Sequence, residues 1–299
     1  MASLPAAVRV LGAAVVLLAL GTPAAAQAAN VSAGEKQTVL VAGATGKTGA
    51  LVYKLLQASG KYEVRGLVRN ATKAKEVLDC GACSEADGIY VGDLLDKASL
   101  TAPTNGADAL FVLTSAFPLC DFSVSPLKCH FPAGATPRDV DWDGARNLVA
   151  SFGNQNPKGA VLVCSTMGTT EAPSSLAMGG GDLLFYKLNQ ETMVMNTGLP
   201  YTIVKPCGLS TEPEGGKSLV VGHDDGLDTS TTVARADVAR VMVEALERKQ
   251  FGLRFDLCAT PGHPTQPIDF GALLAMARSP FWGLPRPEAP VAEPLALHV

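Results

Sequence analysis

The stretch "VLVAGATGKTGALVYKLL", residues 39–56, constrains the fold more than any other part of the chain. Apolar residues run to Ala42 and stop at Gly43. A helical pattern then follows from Thr48, with Leu51 and Leu55, and Val52 and Leu56, four residues apart. An apolar strand that turns through glycines into a helix begins a βαβ unit. The first N–H groups of such a helix have no partner inside it and can hold phosphate. Two motifs overlap here. Gly46-Lys47-Thr48 is the end of the G-x-x-x-x-G-K-[ST] loop that wraps a nucleoside triphosphate, whereas Gly43, Gly46 and Gly49 keep the G-x-x-G-x-x-G spacing of a dinucleotide turn. The triphosphate loop needs a glycine where Val41 stands, still within the strand. The dinucleotide turn has all it needs: Gly43 for the tight turn, Gly46 for close approach of a pyrophosphate, and Gly49 for packing of helix on strand.

Strand and helix alternate beyond this turn. "YEVRGLVR", "GIYVGD", "ADALFVLT", "GAVLVCS", "PYTIVKP" and "FGLRFDLC" read as strands. "ATKAKEVL", "RDVDWDGARNLVASF", "DLLFYKLNQETMVMNTG" and "ARADVARVMVEALER" read as helices, and Ser115–Pro137 as a loop. Repeated βαβ units with continuous apolar strands imply an α/β fold, a doubly wound parallel sheet covered on both faces. A ligand of such a sheet sits at the carboxyl ends of the strands.

The tip of the second strand bears on the choice of cofactor. NAD sites place an acid there to accept from the ribose hydroxyls. Here the strand ends "GLVRN", with Arg69 at its tip and Lys73 about one helical turn further on. A guanidinium suits a 2′-phosphate in charge and fork geometry, which favours NADP(H). A plain solvated arginine is the other reading of Arg69. Asp93, after the third strand, can reach an adenine amino group or cap the following turn.

Net charge is −4, so the chain lacks the basic face that nucleic-acid binding requires. No Cys/His cluster with metal-ligand spacing is present, and a small-molecule substrate is expected. Residues 1–28 read as a signal peptide: Arg9, an apolar run Val10–Leu20 shorter than the ~20 residues of a membrane span, and Ala26-Gln27-Ala28 at the cleavage rule. No stable membrane span is expected once the leader is removed. The segment implies a secretory-pathway or secreted protein. The alternative is the first half of a plastid leader in an alga, although few residues then separate it from the first strand. The Rossmann domain is expected over residues 37–277, and 278–299 as a proline-rich, disordered tail. Cys120 and Cys129 share one loop and could pair; Cys80 and Cys83 form a C-x-x-C with less reason to close. Cys164, Cys207 and Cys258 read as small core residues.

The segments "VLVAGATGKTG", "VRGLVRN", "GDLLD", "VLTSAFP", "VDWDGARNLV", "FYKLNQETMVMNTGLPYTIVKPCGL" and "TTVARADVARVMVEAL" resemble the atypical short-chain dehydrogenase/reductases of the NmrA-like type, above all the plant and algal NADP-binding group with a single Rossmann domain. The resemblance implies an extended Rossmann fold with NADP(H) at the strand ends and a small C-terminal part that covers substrate. It implies that Gly43, Thr45, Gly46, Lys47 and Thr48 lie along the pyrophosphate, Arg69 faces the 2′-phosphate, and Asp93 the adenine. Thr114 and Ser115 would line the ribose side, and Pro206-Cys207-Gly208 the nicotinamide. Lys187 matches the active-site lysine and Ser165 the serine after the fifth strand; a loop-capping serine is the other reading of Ser165.

One departure matters. The superfamily's Tyr-x-x-x-Lys puts an acid and its lysine on one helix face, but Leu183 stands four residues before Lys187. Tyr186 is adjacent to the lysine and is turned about 100° away around the helix. The group holds both reductases and cofactor-binding scaffolds. The expectation is therefore an NADP(H)-binding oxidoreductase acting on a small carbonyl or related group, with Lys187 and Ser165 as the catalytic pair. The alternative is an NADP(H)-dependent sensor or scaffold with a protein partner. For the leader, N-terminal sequencing of protein from its native source is expected to find a start between Gln27 and Val31; a chain that still begins at Met1 would refute cleavage.

Overall fold

The computed structural model describes residues 36–278 apart from 122, 126–127, 171–181, 229, 263 and 265. The expected leader, and the expected tail beyond Arg278, lie outside the described residues. In chain order the elements are β1 (Gln37–Ala42), α1 (Gly49–Ser59), β2 (Tyr62–Val68), α2 (Ala71–Leu78), β3 (Ile89–Val91), α3 (Thr101–Thr104), β4 (Ala109–Val112), β5 (Leu119–Asp121), β6 (Lys128–His130), α4 (Ala145–Gln155), β7 (Ala160–Cys164), α5 (Asp182–Met195), β8 (Tyr201–Pro206), β9 (Gly208–Ser210), β10 (Leu219–Gly222), β11 (Thr232–Ala234), α6 (Arg235–Glu247), β12 (Leu253–Ala259) and α7 (Phe270–Arg278).

Eight strands form the central sheet in the order β10-β12-β8-β7-β4-β1-β2-β3. All neighbours are parallel except β10, which runs antiparallel to β12 at the edge. The strand period of two divides the core between two faces. Val39 and Val41 pack with Val52, Tyr53 and Leu56 of α1 and with Val238 and Val241 of α6. Leu40 and Ala42 pack with Leu148, Val149 and Phe152 of α4 and Val194 of α5. The doubly wound fold class is therefore present, and the strand order reverses between β1 and β4. That reversal opens a crevice at the carboxyl ends of those two strands.

Several elements were not legible as such. The loop Ser115–Pro137 contains the hairpin β5–β6, whose strands pair only with each other. A π-helical turn, Arg138–Gly144, precedes α4 in place of an unbroken α-helix. β9 pairs with β11 in a separate two-stranded sheet, and α7 follows β12. Both cysteine pairs are disulfides, Cys80–Cys83 and Cys120–Cys129, while Cys207 and Cys258 are free and buried.

The turn after β1 shows why its glycines are there. Gly43 has φ +80°, and a Cβ on it would lie 2.9 Å from the Leu113 carbonyl oxygen. A Cβ on Gly49 would lie 2.0 Å from the Gly43 carbonyl oxygen, a backbone atom that cannot step aside. Gly49→Ala is expected to destabilise the protein by about 1–3 kcal/mol through overpacking, and to lower its Tm in thermal unfolding. An unchanged Tm would show that helix and turn can separate freely.

Candidate functional site

The end of β2, the loops after β1, β2, β3 and β4, and the turn before α4 enclose a cleft of about 340 Å³ at the crevice. Gly43, Thr45, Gly46, Arg69, Lys73, Asp93, Thr114 and Ser115, all singled out from the sequence, line it. Leu95, Phe117, Pro132, Ala135 and Val140 complete the apolar part of the wall.

The floor is the glycine turn. Gly46 N–H closes it on the Gly43 carbonyl at 2.8 Å, and Gly43 N–H is tied to Leu67 of β2. Thr48 precedes α1 without a side-chain cap, and the first turn of α1 carries no acid. Lys47 and Thr48 therefore stand at the positive end of a helix with nothing to neutralise it, the arrangement that receives a phosphate. Gly49 is buried behind the turn rather than in the cleft.

The far end is basic. Arg69 and Lys73 are exposed, and neither side chain has an ion-pair or hydrogen-bond partner among the described residues. Asn70 caps α2, its side chain accepting from Lys73 N–H at 3.1 Å, and the first turn of α2 also lacks an acid. Asp93 accepts from Leu95 N–H at 2.9 Å, a local turn that fixes its carboxylate at the rim. The cap of the following turn is Asp96, not Asp93. Among the described residues the buried Thr114 Oγ1 has no partner, a polar atom left over at the cleft wall. A cradle that a Cβ would fill, an open helix end and an orphaned hydroxyl together fit a dinucleotide.

Lys187 lies behind the wall. It is 3% exposed, and its Nζ sits 2.9 Å from Asp141 Oδ1 and donates to the Thr114 carbonyl at 3.3 Å. The contact with Asp141 is an ion pair rather than an aligned hydrogen bond. The other oxygen, Asp141 Oδ2, accepts from Ala116 N–H at 2.9 Å. Asp141 was not singled out from the sequence, yet the signal was there. It stands four residues before Ala145 and seven before Leu148, both on the buried face of α4, and a buried lysine needs an acid.

Ser165 is buried at the end of β7 and donates to Glu191, one turn beyond Lys187 on α5. Glu191 also takes Arg254 Nε and Nη2, both at 2.8 Å. Burial pushes the neighbouring Cys164 thiol up to about 11, with Lys187 and Arg235 pulling the other way, so it stays a neutral thiol near pH 7. Pro206 is buried, its carbonyl accepting from Met167 N–H at 3.0 Å. Tyr186 meets Phe185 edge-on with ring centroids 5.2 Å apart and does not border the cleft.

A phosphate-receiving glycine turn at the switch point of a doubly wound sheet defines a Rossmann-type nucleotide-binding protein. The chain belongs to the NAD(P)H-binding family, whose model matches residues 43–249. It is 37% identical over 259 residues to an uncharacterized chloroplastic protein of Arabidopsis thaliana, covering 83% of this chain and 77% of that one. It is 34% identical over 276 residues to the sanguinarine reductase of Eschscholzia californica, covering 83% and 98%. The chloroplastic protein TIC 62 of Pisum sativum is 27% identical over 214 residues, covering 70% of this chain and 39% of TIC 62. A solved structure from Bacillus halodurans, described as an NAD-dependent epimerase/dehydratase, is similar in fold, with TM-score 0.62, 22% identity, and 80% and 99% covered.

The Lys187–Asp141 pair makes a stability prediction. Asp141→Leu alone strands a buried cation and is expected to cost about 3–5 kcal/mol in denaturant unfolding. Asp141→Leu with Lys187→Met removes both charges and is expected to recover most of that loss. A double variant no more stable than the single one would show that the two charges act independently.

Proposed function

We propose that the protein is an NADP(H)-dependent reductase of the atypical short-chain dehydrogenase type, acting on a small carbonyl or related acceptor. The observation that carries the reading is the unpartnered Arg69, with Lys73 beside it, across the cleft from the glycine turn. Two cations and a helix end without an acid suit a 2′-phosphate. The pyrophosphate would then lie along Thr45, Gly46, Lys47 and Thr48, the adenine beside Asp93, and the ribose beside Thr114 and Ser115. The reduced nicotinamide supplies the hydride. Lys187, pinned by Asp141 and the Thr114 carbonyl, orients the ribose and nicotinamide side from behind the wall. Ser165 would hold the reacting oxygen only by releasing Glu191, because its hydroxyl has one proton to donate. Pro206 would border the nicotinamide.

For the compartment we propose a plastid. Relatives named chloroplastic support it over the secretory route. Residues 37–277 would form the working domain. Among the described residues no helix is long and apolar enough to cross a membrane.

NADPH is expected to bind roughly ten- to a hundredfold more tightly than NADH, the worth of one charge-assisted contact, and Arg69→Ala to erase most of the difference. Equal affinities of the unmutated protein for the two cofactors would remove the NADP(H) assignment.

Activity gives the second test. NADPH oxidation is read across aldehydes, ketones and quinones, with slow turnover expected because a positioned acid contributes 10²- to 10⁴-fold and its tyrosine is missing. Lys187→Ala is expected to weaken NADPH binding and abolish turnover, while Tyr186→Phe changes little. If Tyr186→Phe alone kills activity, that ring is the acid and the proposed roles are wrong. Leu183 in the tyrosine position favours a second reading: a cofactor-dependent sensor that binds a protein partner. Tight NADPH binding with no hydride transfer across the panel would select it.

A further inference from the structure

We propose that the Cys120–Cys129 disulfide is a reducible latch on the wall of the cofactor cleft, opened by a dithiol reductant; the proposal rests on the NADP(H) reading above. Two segments of the wall, Ser115–Phe117 and Pro132–Ala135, are joined through the hairpin β5–β6. Each hairpin strand has three residues and, among the described residues, pairs only with the other. An isolated two-stranded ribbon is marginally stable in water. The cross-link compensates for this, because Cys120 stands directly opposite Cys129, with Cα atoms 4.0 Å apart. The disulfide lies three residues from Phe117 on one strand and three from Pro132 on the other. Phe117 is 75% exposed, so little besides the hairpin keeps its ring at the mouth of the cleft.

Both cysteines are partly exposed and open to an external thiol. The other disulfide, Cys80–Cys83, follows α2, and neither of its cysteines lines the cleft. The ends of the wall are held by other means. Ala116 is bonded to Asp141, and Thr136 Oγ1 and N–H both bond Asp139 at the start of the π-helical turn. Reduction therefore frees Phe117 and Pro132–Ala135 and leaves Lys187 and Asp141 in place. The affinity for cofactor changes, and the chemistry at Lys187 does not.

The exchange is balanced as a two-electron step. One thiolate of the reductant attacks a sulfur of the protein disulfide, breaking the S–S bond and forming a mixed disulfide. The second thiol of the reductant displaces the remaining protein sulfur. The reductant leaves as a disulfide, and Cys120 and Cys129 each take up a proton as thiols.

The experiment titrates NADPH into the oxidised protein and into the same protein reduced with dithiothreitol. The reduced form is expected to bind about five- to tenfold more weakly, the value for a wall that holds its closed arrangement only ~10–20% of the time. Reoxidation is expected to restore the first value, which separates a latch from unfolding. In a Cys80→Ser/Cys83→Ser background the shift should persist. In Cys120→Ser/Cys129→Ser the oxidised and reduced titrations should coincide at the weaker value. Equal NADPH affinity of oxidised and reduced wild-type protein overturns the latch while leaving the cofactor reading intact. Failure of both forms to bind NADPH overturns the latch and the cofactor reading together.

Discussion

The ion pair between Lys187 and Asp141 organises the middle of the molecule. Both groups are almost fully buried, and a lone charge of either sign would cost far too much in that position. Each is tolerable only because the other is 2.9 Å away. The pair fixes more than itself. Through the Thr114 carbonyl and the Ala116 N–H it ties the end of β4 to α5 and to the turn before α4. The cleft wall, the lysine and two helices therefore form one unit. A second buried set does the same for the loop after β7. Lys205 contacts Asp225 at 2.6 Å and Asp256 at 3.2 Å, and Asp225 holds the N–H groups of Gly168 and Thr170. Burial works to raise the Asp225 carboxyl, yet hydrogen bonds from Lys205, Thr170 and Gly168 bring it below its ordinary value. Asp256 is pushed up by burial, against the pull of Lys205. One cation faces two acids, and the less well bonded acid is the one that holds a proton more readily.

Much of the fold was legible because its signals are local. The glycine triplet announces the turn by geometry that only glycine satisfies: the positive φ of Gly43 and the bare Cα of Gly49. Apolar runs announce the parallel strands because both faces of the sheet are covered. The edge strand β10 and the hairpin β5–β6 gave no such signal. β10 is only half buried, and β5 and β6 alternate without an apolar face to bury. The cleft was half legible in the same way. Gly43, Arg69 and Asp93 stand at strand ends, where topology alone puts them into the crevice. Glu191 and Arg254 were hidden because their roles are pairings between elements far apart in sequence. A helix pattern shows which face is buried but not which charge meets it there.

These pairings bear on proton supply, which the missing tyrosine makes the central question for the chemistry. Among the described residues, most candidate proton donors near the strand ends are already committed. Ser165 gives its only proton to Glu191. Lys187 directs its ammonium at Asp141 and the Thr114 carbonyl. Burial keeps Cys164 neutral but also keeps its proton in an apolar setting. Tyr186 packs against Phe185. Thr114 Oγ1 is the exception, a buried hydroxyl at the wall with no partner among the described residues. A site built like this invests in holding a cofactor and little in delivering a proton.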